Sequence, residues 1–387
     1  MKDRLLAFAL LAATSLGTPT SMLFAAEFRG INRDTLNGHP YYILENSIVS
    51  VTTISGDGRK LGGHASVRAV NFECGTIECG IAPYTLLLGE KRRLDSLAPF
   101  TGFDIDRASY FDAVNYAAAL SHDGSTALLN AAASDASQTY VFDGKGTTQL
   151  DVRPLGLTVR GVGVSASGNS IVGNSGSTPF LWRPFGGARE ISGLADEFDW
   201  TVVGISGDGH SVLVNARPGV THGRDWTNRD ERRGNAVVWT DDGTLTELMP
   251  IEGHAHSAAV AASHDGAILV GNSMIKSTER PNLGRAVRWA NGTIEALGTL
   301  NRFEFSNARD VAADGKLVVE QAYNLKDPTL SPDVEIPLTT TVLAYPFGFA
   351  FEVADPSRAV LWEADGKALD LQELLVDQYR LGQELTG

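Results

Sequence analysis

The chain has 387 residues, 43% of them hydrophobic, with 41 glycines, 15 prolines, two cysteines and a formal net charge of −14. That length can bury a sizeable core. The acidic balance argues against a nucleic-acid partner, which selects basic surfaces, and against an anionic membrane surface.

In chain order the first signal is at the amino terminus. Lys2 and Arg4 precede an apolar run from Leu5 to Ala13, and small residues follow at Ala25 and Ala26. This is the layout of a secretory signal peptide, and the run is too short to span a bilayer. Residues 1–26 are therefore read as a removable signal, residues 27–387 as one repeat domain without a membrane span, and the location as periplasmic or extracellular. Cys74 and Cys79 come next, four residues apart in between. In an oxidising compartment the expectation is a local disulfide, because the spacing exceeds Cys-x-x-Cys and two thiols are too few for a metal centre.

From Ser55 onward one unit recurs. Its first turn is Ser55-Gly56-Asp57-Gly58, then Ser121-His122-Asp123-Gly124, Ser165-Ala166-Ser167-Gly168, Ser206-Gly207-Asp208-Gly209, Ser263-His264-Asp265-Gly266 and Ala312-Ala313-Asp314-Gly315. The closing glycines are 66, 44, 41, 57 and 49 residues apart, near the length of a propeller blade. Short β-branched runs flank each turn, as at Thr201–Ile205 and Ser211–Val214. An aromatic run and a second turn follow, as in Ala236-Val237-Val238-Trp239-Thr240-Asp241-Asp242-Gly243. Asp-Gly and Asn-Gly suit tight hairpins, so each unit holds two hairpins, that is, four antiparallel strands.

The predicted fold is all-β, a β-propeller of about six four-stranded blades, with units near 49–100, 112–150, 158–194, 201–248, 256–300 and 306–371. Trp182, Trp239, Trp289 and Trp362 recur in register and are expected to anchor the packing between blades. The residues do not show whether Tyr41–Leu44 adds an outer strand to the last blade.

Units such as Val162-Gly163-Val164-Ser165-Ala166-Ser167-Gly168-Asn169-Ser170-Ile171-Val172-Gly173-Asn174 followed by Pro179-Phe180-Leu181-Trp182 resemble the HAF-type repeats of bacterial extracellular proteins. The run from Ala286 to Leu300 does so too. The resemblance covers about residues 49–371 and implies a secreted propeller-like array, in some family members fused to an autotransporter barrel. It brings no catalytic residues.

In such units both hairpin turns lie at one edge, and the connection between second and third strands lies at the other. The long insertions, near 65–83, 215–235, 273–285 and 321–358, all fall on that second edge, the expected recognition surface. The fourth-unit insertion holds Arg224, Trp226, Arg229, Arg232 and Arg233. Arginine forks suit carboxylates, sulfates or phosphates, and a tryptophan suits a sugar ring or a cation. The alternative is a solvated loop with internal ion pairs. The sixth-unit insertion alternates aromatics from Tyr345 to Phe351, read as an extra strand before a ligand platform.

Catalytic signatures are scarce. There is no His-Glu-x-x-His, phosphate-binding loop or Gly-x-Ser-x-Gly elbow. His254, His256 and His264 are a weak metal candidate, and the contiguous Ser-His-Asp of two turns cannot converge as a triad. Glu197, Asp199 and Asp225 are candidate acids for a glycosidase. The function expected is a secreted binding or interaction module without cofactor, metal or catalytic residues. Its partner is unknown, a cell-surface polysaccharide or a protein being the candidates. A carbohydrate-active hydrolase or lyase, or a passenger-like remnant of an autotransporter, are the alternatives.

Overall fold

The structure is a computed structural model that describes residues 34–36, 39–43, 48–70, 80–88, 94–96, 114–133, 136–152, 155, 158–196, 198–218, 234–275, 283–300, 303–324, 358–363, 366–371 and 373–374. The chain divides into two compact units, the first reaching Glu190 and the second running on from Ile191.

The first unit opens with a six-stranded sheet of β1 (Asp34–Leu36), β2 (His39–Ile43), β3 (Ile48–Ile54), β4 (Leu61–Val70), β5 (Gly80–Leu88) and β6 (Leu94–Ser96). Both β2 and β3 pair with β4, β2 at Ala69 and Val70 and β3 from Leu61 to Ser66. The segment around Tyr41 thus joins the first sheet, a placement the residue pattern leaves open. The second sheet comprises β7 (Val114–Leu120), β8 (Ala127–Ala133), β9 (Ala136–Phe142) and β10 (Thr147–Gln149), and the third β11 (Val159–Val164), β12 (Ile171–Ser175), β13 (Thr178–Arg183) and β14 (Gly187–Glu190).

The second unit repeats the plan three times. Its sheets are β15 (Phe198–Ile205), β16 (Ser211–Pro218), β17 (Ala236–Thr240) and β18 (Leu245–Leu248); β19 (His256–Ala262), β20 (Ile268–Met274), β21 (Gly284–Ala290) and β22 (Thr293–Ala296); and β23 (Phe305–Val311), β24 (Leu317–Tyr323), β25 (Arg358–Glu363) and β26 (Ala368–Asp370). The second to sixth sheets are four-stranded and antiparallel, with strands in sequence order. The chain is therefore all-β, built on the four-stranded blade of the β-propeller class.

Burial follows strand position. The outermost β14 is exposed or half-buried, β11 alternates, and β12, paired along both edges, is buried throughout. Apolar side chains then meet between successive sheets. In the first unit Leu128 of the second sheet packs with Val159, Ile171 and Phe180 of the third, and Trp182 lies against them. In the second unit Leu213, Val238 and Leu248 pack with Leu269, Val287 and Trp289, while Val270, Ala286 and Leu297 pack with Val318 and Trp362. Full burial of one such aliphatic side chain contributes about 1.5–3 kcal/mol. The tryptophans in register thus sit where the repeat pattern puts them, with Trp239, Trp289 and Trp362 buried.

One irregularity recurs. The first strand of the first sheet slips by a residue against its neighbour between Val51 and Thr53, and the same bulge stands at Ala117/Ala119, Gly161/Gly163, Val202/Gly204, Ala259/Ala261 and Ala308/Asp310.

Candidate functional site

Each Ser-x-Asp-Gly turn is a closed hydrogen-bonded device. In the second sheet the Gly124 N–H donates to the Ser121 carbonyl at 3.0 Å, with Gly124 at φ 63°. The Ser121 hydroxyl donates to the Asp123 carboxylate at 3.0 Å and accepts the Thr126 N–H at 2.9 Å, while the Ser125 N–H reaches the same carboxylate at 2.9 Å. Ser206–Asp208 and Ser263–Asp265 repeat this at 2.5 and 2.7 Å. These bonds, the Ser125 N–H first among them, hold the Asp123 carboxyl down at about 2. The serines of the Ser-His-Asp sequences are therefore spent within the turn.

The turns are also joined to one another. In the first unit the Asp57 N–H donates to the His122 carbonyl at 2.8 Å and the His122 N–H to the Ala166 carbonyl at 3.0 Å. In the second, Asp208 donates to His264 at 2.7 Å and His264 to Ala313 at 2.8 Å. Where the following turn brings a histidine, glycine makes room for it, since a Cβ on Gly207 would lie 2.3 Å from the His264 ring nitrogen. The histidine thus packs on the preceding turn. A second tie crosses from sheet to sheet at the bulge. Asn130 donates to the Gly161 carbonyl at 2.7 Å and accepts its N–H at 3.0 Å. Asn215 clasps Ala259 in the same way, and Asn272 accepts the Ala308 N–H at 2.8 Å. These asparagines, with Asn174, stand nine residues after Ser121, Ser165, Ser206 and Ser263. That constant spacing is a signal in the sequence that the turn pattern overshadows.

The opposite edge of each sheet carries the connection between second and third strands. It is short in the second and third sheets, where β8 and β9 are separated by two residues and β12 and β13 by a two-residue turn. It is long at 71–79, 219–235, 275–283 and 324–357. The first of these is shorter than the sequence suggests, because β4 and β5 extend as a ladder to Ala69 and Gly80. The insertions spring from fixed points. Asn235 donates to the Glu247 carboxylate at 2.7 Å and accepts the Ser257 N–H at 3.1 Å, and the next residue, Ala236, donates to the Ser257 hydroxyl at 3.0 Å. The Ile275 N–H closes on the Leu283 carbonyl at 2.7 Å, and Asn324 accepts the Glu304 N–H at 2.9 Å.

Arg224, Trp226, Arg229, Arg232 and Arg233 lie outside the described residues, as do Cys74, Cys79, Glu197, Asp225 and residues 1–26. Asp199 lies on β15 opposite Arg217. Of the three histidines, His254 places Nδ1 2.8 Å from the buried Ser273 hydroxyl, His256 is buried on β19, and His264 packs against Gly207 of the preceding turn. Among the described residues, no three metal-binding side chains gather.

The sixth sheet departs from its siblings. Arg309, Asp310, Glu320 and Gln321 surround its bulge, and Arg309 donates to the Gln321 side chain. Glu320 is 1% exposed, and neither carboxyl oxygen has a hydrogen-bond partner. Burial pushes its carboxyl up to about 8, and burial likewise raises Asp310 to about 6 against a hydrogen bond from the Val311 N–H. Glu320 stands opposite Ala308 while Asp310 stands opposite Val319, so the two carboxyls face opposite sides of the sheet.

Neither a protein-family model nor a curated protein sequence matches the chain. Among solved structures it is similar to a putative TolB from Agrobacterium tumefaciens, at 18% identity and a TM-score of 0.41 over 67% of this chain and 80% of that one. It is also similar to the β-propeller domain of the Trilobed protease from Pyrococcus furiosus, at 9% identity and 0.47 over 84% of each chain. An oligogalacturonate lyase solved with manganese is similar at 11% identity and 0.48, over 86% of this chain and 81% of that one. Likenesses at this level assign no activity to the chain.

Proposed function

We propose that this protein is an exported binding module of the HAF-repeat type, whose recognition surface is the insertion-bearing edge of its sheets. The observation that carries this reading is the contrast between the two edges. At one, turns of nearly constant length are bonded main chain to main chain. At the other, two connections of two residues contrast with insertions such as 219–235 and 324–357, rooted in hydrogen-bonded anchors. A rigid scaffold bearing loops of variable length is the arrangement that binding proteins use.

Within that edge we assign ligand contact to Arg224, Trp226, Arg229, Arg232 and Arg233. Their chemistry suits an anionic or sugar-bearing ligand such as a cell-surface polysaccharide. Among the described residues no helix is long and apolar enough to cross a membrane, and the export reading rests on the first 26 residues of the sequence. The hydrolase or lyase alternative rests on Glu197, Asp199 and Asp225, and of these three Asp199, on β15, is the one among the described residues.

The test is thermal stability of the chain from Glu27 onward against acidic and neutral oligosaccharides, peptidoglycan fragments and divalent ions. A ligand at a hundred times its dissociation constant adds about 2.7 kcal/mol. A shift with an acidic oligosaccharide that Arg224→Ala and Trp226→Ala abolish supports the assignment. A shift that survives both substitutions removes it.

A further inference from the structure

Glu320 occupies a register that the other sheets give to residues without charge. Counting eight residues on from the start of each first turn gives Leu129, Gly173, Val214 and Gly271 in the second to fifth sheets, and Glu320 in the sixth. Its side chain shares a face with Ala308 across one ladder, with Val360 across the other, and with Val318 two residues away. That face packs on Val270, Ala286 and Leu297 of the fifth sheet's side, with Phe303 covering Ala322 and Val360. A carboxyl with two unpartnered oxygens in such a seam is tolerated only while it is neutral, because a buried charge without a partner is expelled or hydrated.

The charged and titratable groups on the surrounding strands do not relieve it. On its own sheet Arg358 of β25 and Asp370 of β26 share its face, and these two approach one another at 3.8 Å. Arg309 at the bulge of β23 bonds to Gln321, Asp310 is on the other face, and Glu304 just before β23 is exposed. From the fifth sheet, Arg288 of β21 stands beside Val270, Glu295 of β22 beside Arg288, and His256 of β19 beside Met274. None gives a hydrogen bond to Glu320.

We infer that Glu320 is a proton-operated latch in the seam between the fifth and sixth sheets: with its carboxyl neutral the sixth sheet is docked, and ionisation loosens it. The upward shift to about 8, caused by burial alone, places the transition at mildly alkaline pH. Below 4.5, its ordinary value, the carboxyl is neutral in folded and unfolded chain alike and full stability is present. Between 4.5 and about 8 only the unfolded chain ionises, so stability falls as pH rises, and above 8 the loss is complete. The latch has an address. Three residues after Glu320 the chain leaves β24 for the 324–357 insertion, and it returns at Arg358 on the same face. On the reading that the insertions form the recognition edge, loosening the seam displaces both roots of the longest one.

The experiment is denaturant unfolding of the chain from Glu27 onward at pH 5 to 9, in the native protein, Glu320→Gln and, as a second apolar filler matching Leu129, Glu320→Leu. The native unfolding constant is expected to rise relative to either variant by up to tenfold per pH unit between 4.5 and about 8. Amide exchange of β24 and β25 at pH 8.5 is expected to be faster in the native chain than in Glu320→Gln. Parallel pH profiles with equal exchange overturn the latch. Neither readout involves a ligand, so this result stands apart from the fate of the binding reading.

Discussion

Asn215 grips the main chain of Ala259 from both sides, its amide donating to the Ala259 carbonyl at 3.0 Å and its carbonyl accepting the Ala259 N–H at 2.8 Å. A single side chain on the fourth sheet thus takes the place of a strand partner for the fifth, one step before its bulge. The first strand of a sheet has no ladder on that side, and the clasp satisfies groups that would otherwise be buried unpaired.

Removing that clasp leaves a buried donor and acceptor unsatisfied. Asn215→Ala is expected to cost about 2–6 kcal/mol, the sum for two orphaned groups. Asn215→Asp keeps an acceptor for the Ala259 N–H but sets a carboxylate oxygen against the Ala259 carbonyl, and should lose at least as much. Equilibrium denaturation of the two variants checks the order.

Trp289 packs with Leu213, Val238 and Leu269 between the fourth and fifth sheets, and its indole N–H donates to the Met249 carbonyl at 2.8 Å. Trp289→Ala should cost about 3–5 kcal/mol. Calorimetry should show the loss with the pH dependence of the transition unchanged.

The turn carboxylates set the acid limit. Asp123, held at about 2 against an ordinary 3.8, contributes stability that is present above 3.8 and is lost as pH falls through 2. Asp123→Asn should flatten the stability profile between those values, and Ser121→Ala should weaken it part of the way. Acid titration followed by circular dichroism reads the difference.

The turns carried the fold in the sequence. Glycine at fixed offsets announced the hairpins, and the tryptophans in register announced the packed faces, because both are local or periodic. The Asn130, Asn215 and Asn272 clasps are equally periodic, yet an asparagine that ends a run of apolar residues reads as a turn residue, although all three lie within β8, β16 and β20. Glu320 was illegible for another reason. Nothing local to Val319-Glu320-Gln321 tells that both faces of β24 are covered, and a lone glutamate in a strand is more often exposed. The six-stranded first sheet was hidden as well, since β1 and β2 carry no repeat signature.

The most direct measurement replaces residues 219–233 by a short Gly-Ser linker between the anchored ends of β16 and β17, then compares unfolding and binding of an acidic oligosaccharide with the native chain. Unfolding is expected within about 1 kcal/mol of native, since loop length changes closure entropy only slowly, together with loss of binding. Unchanged binding in the shortened protein would contradict it and move recognition away from this edge of the fourth sheet.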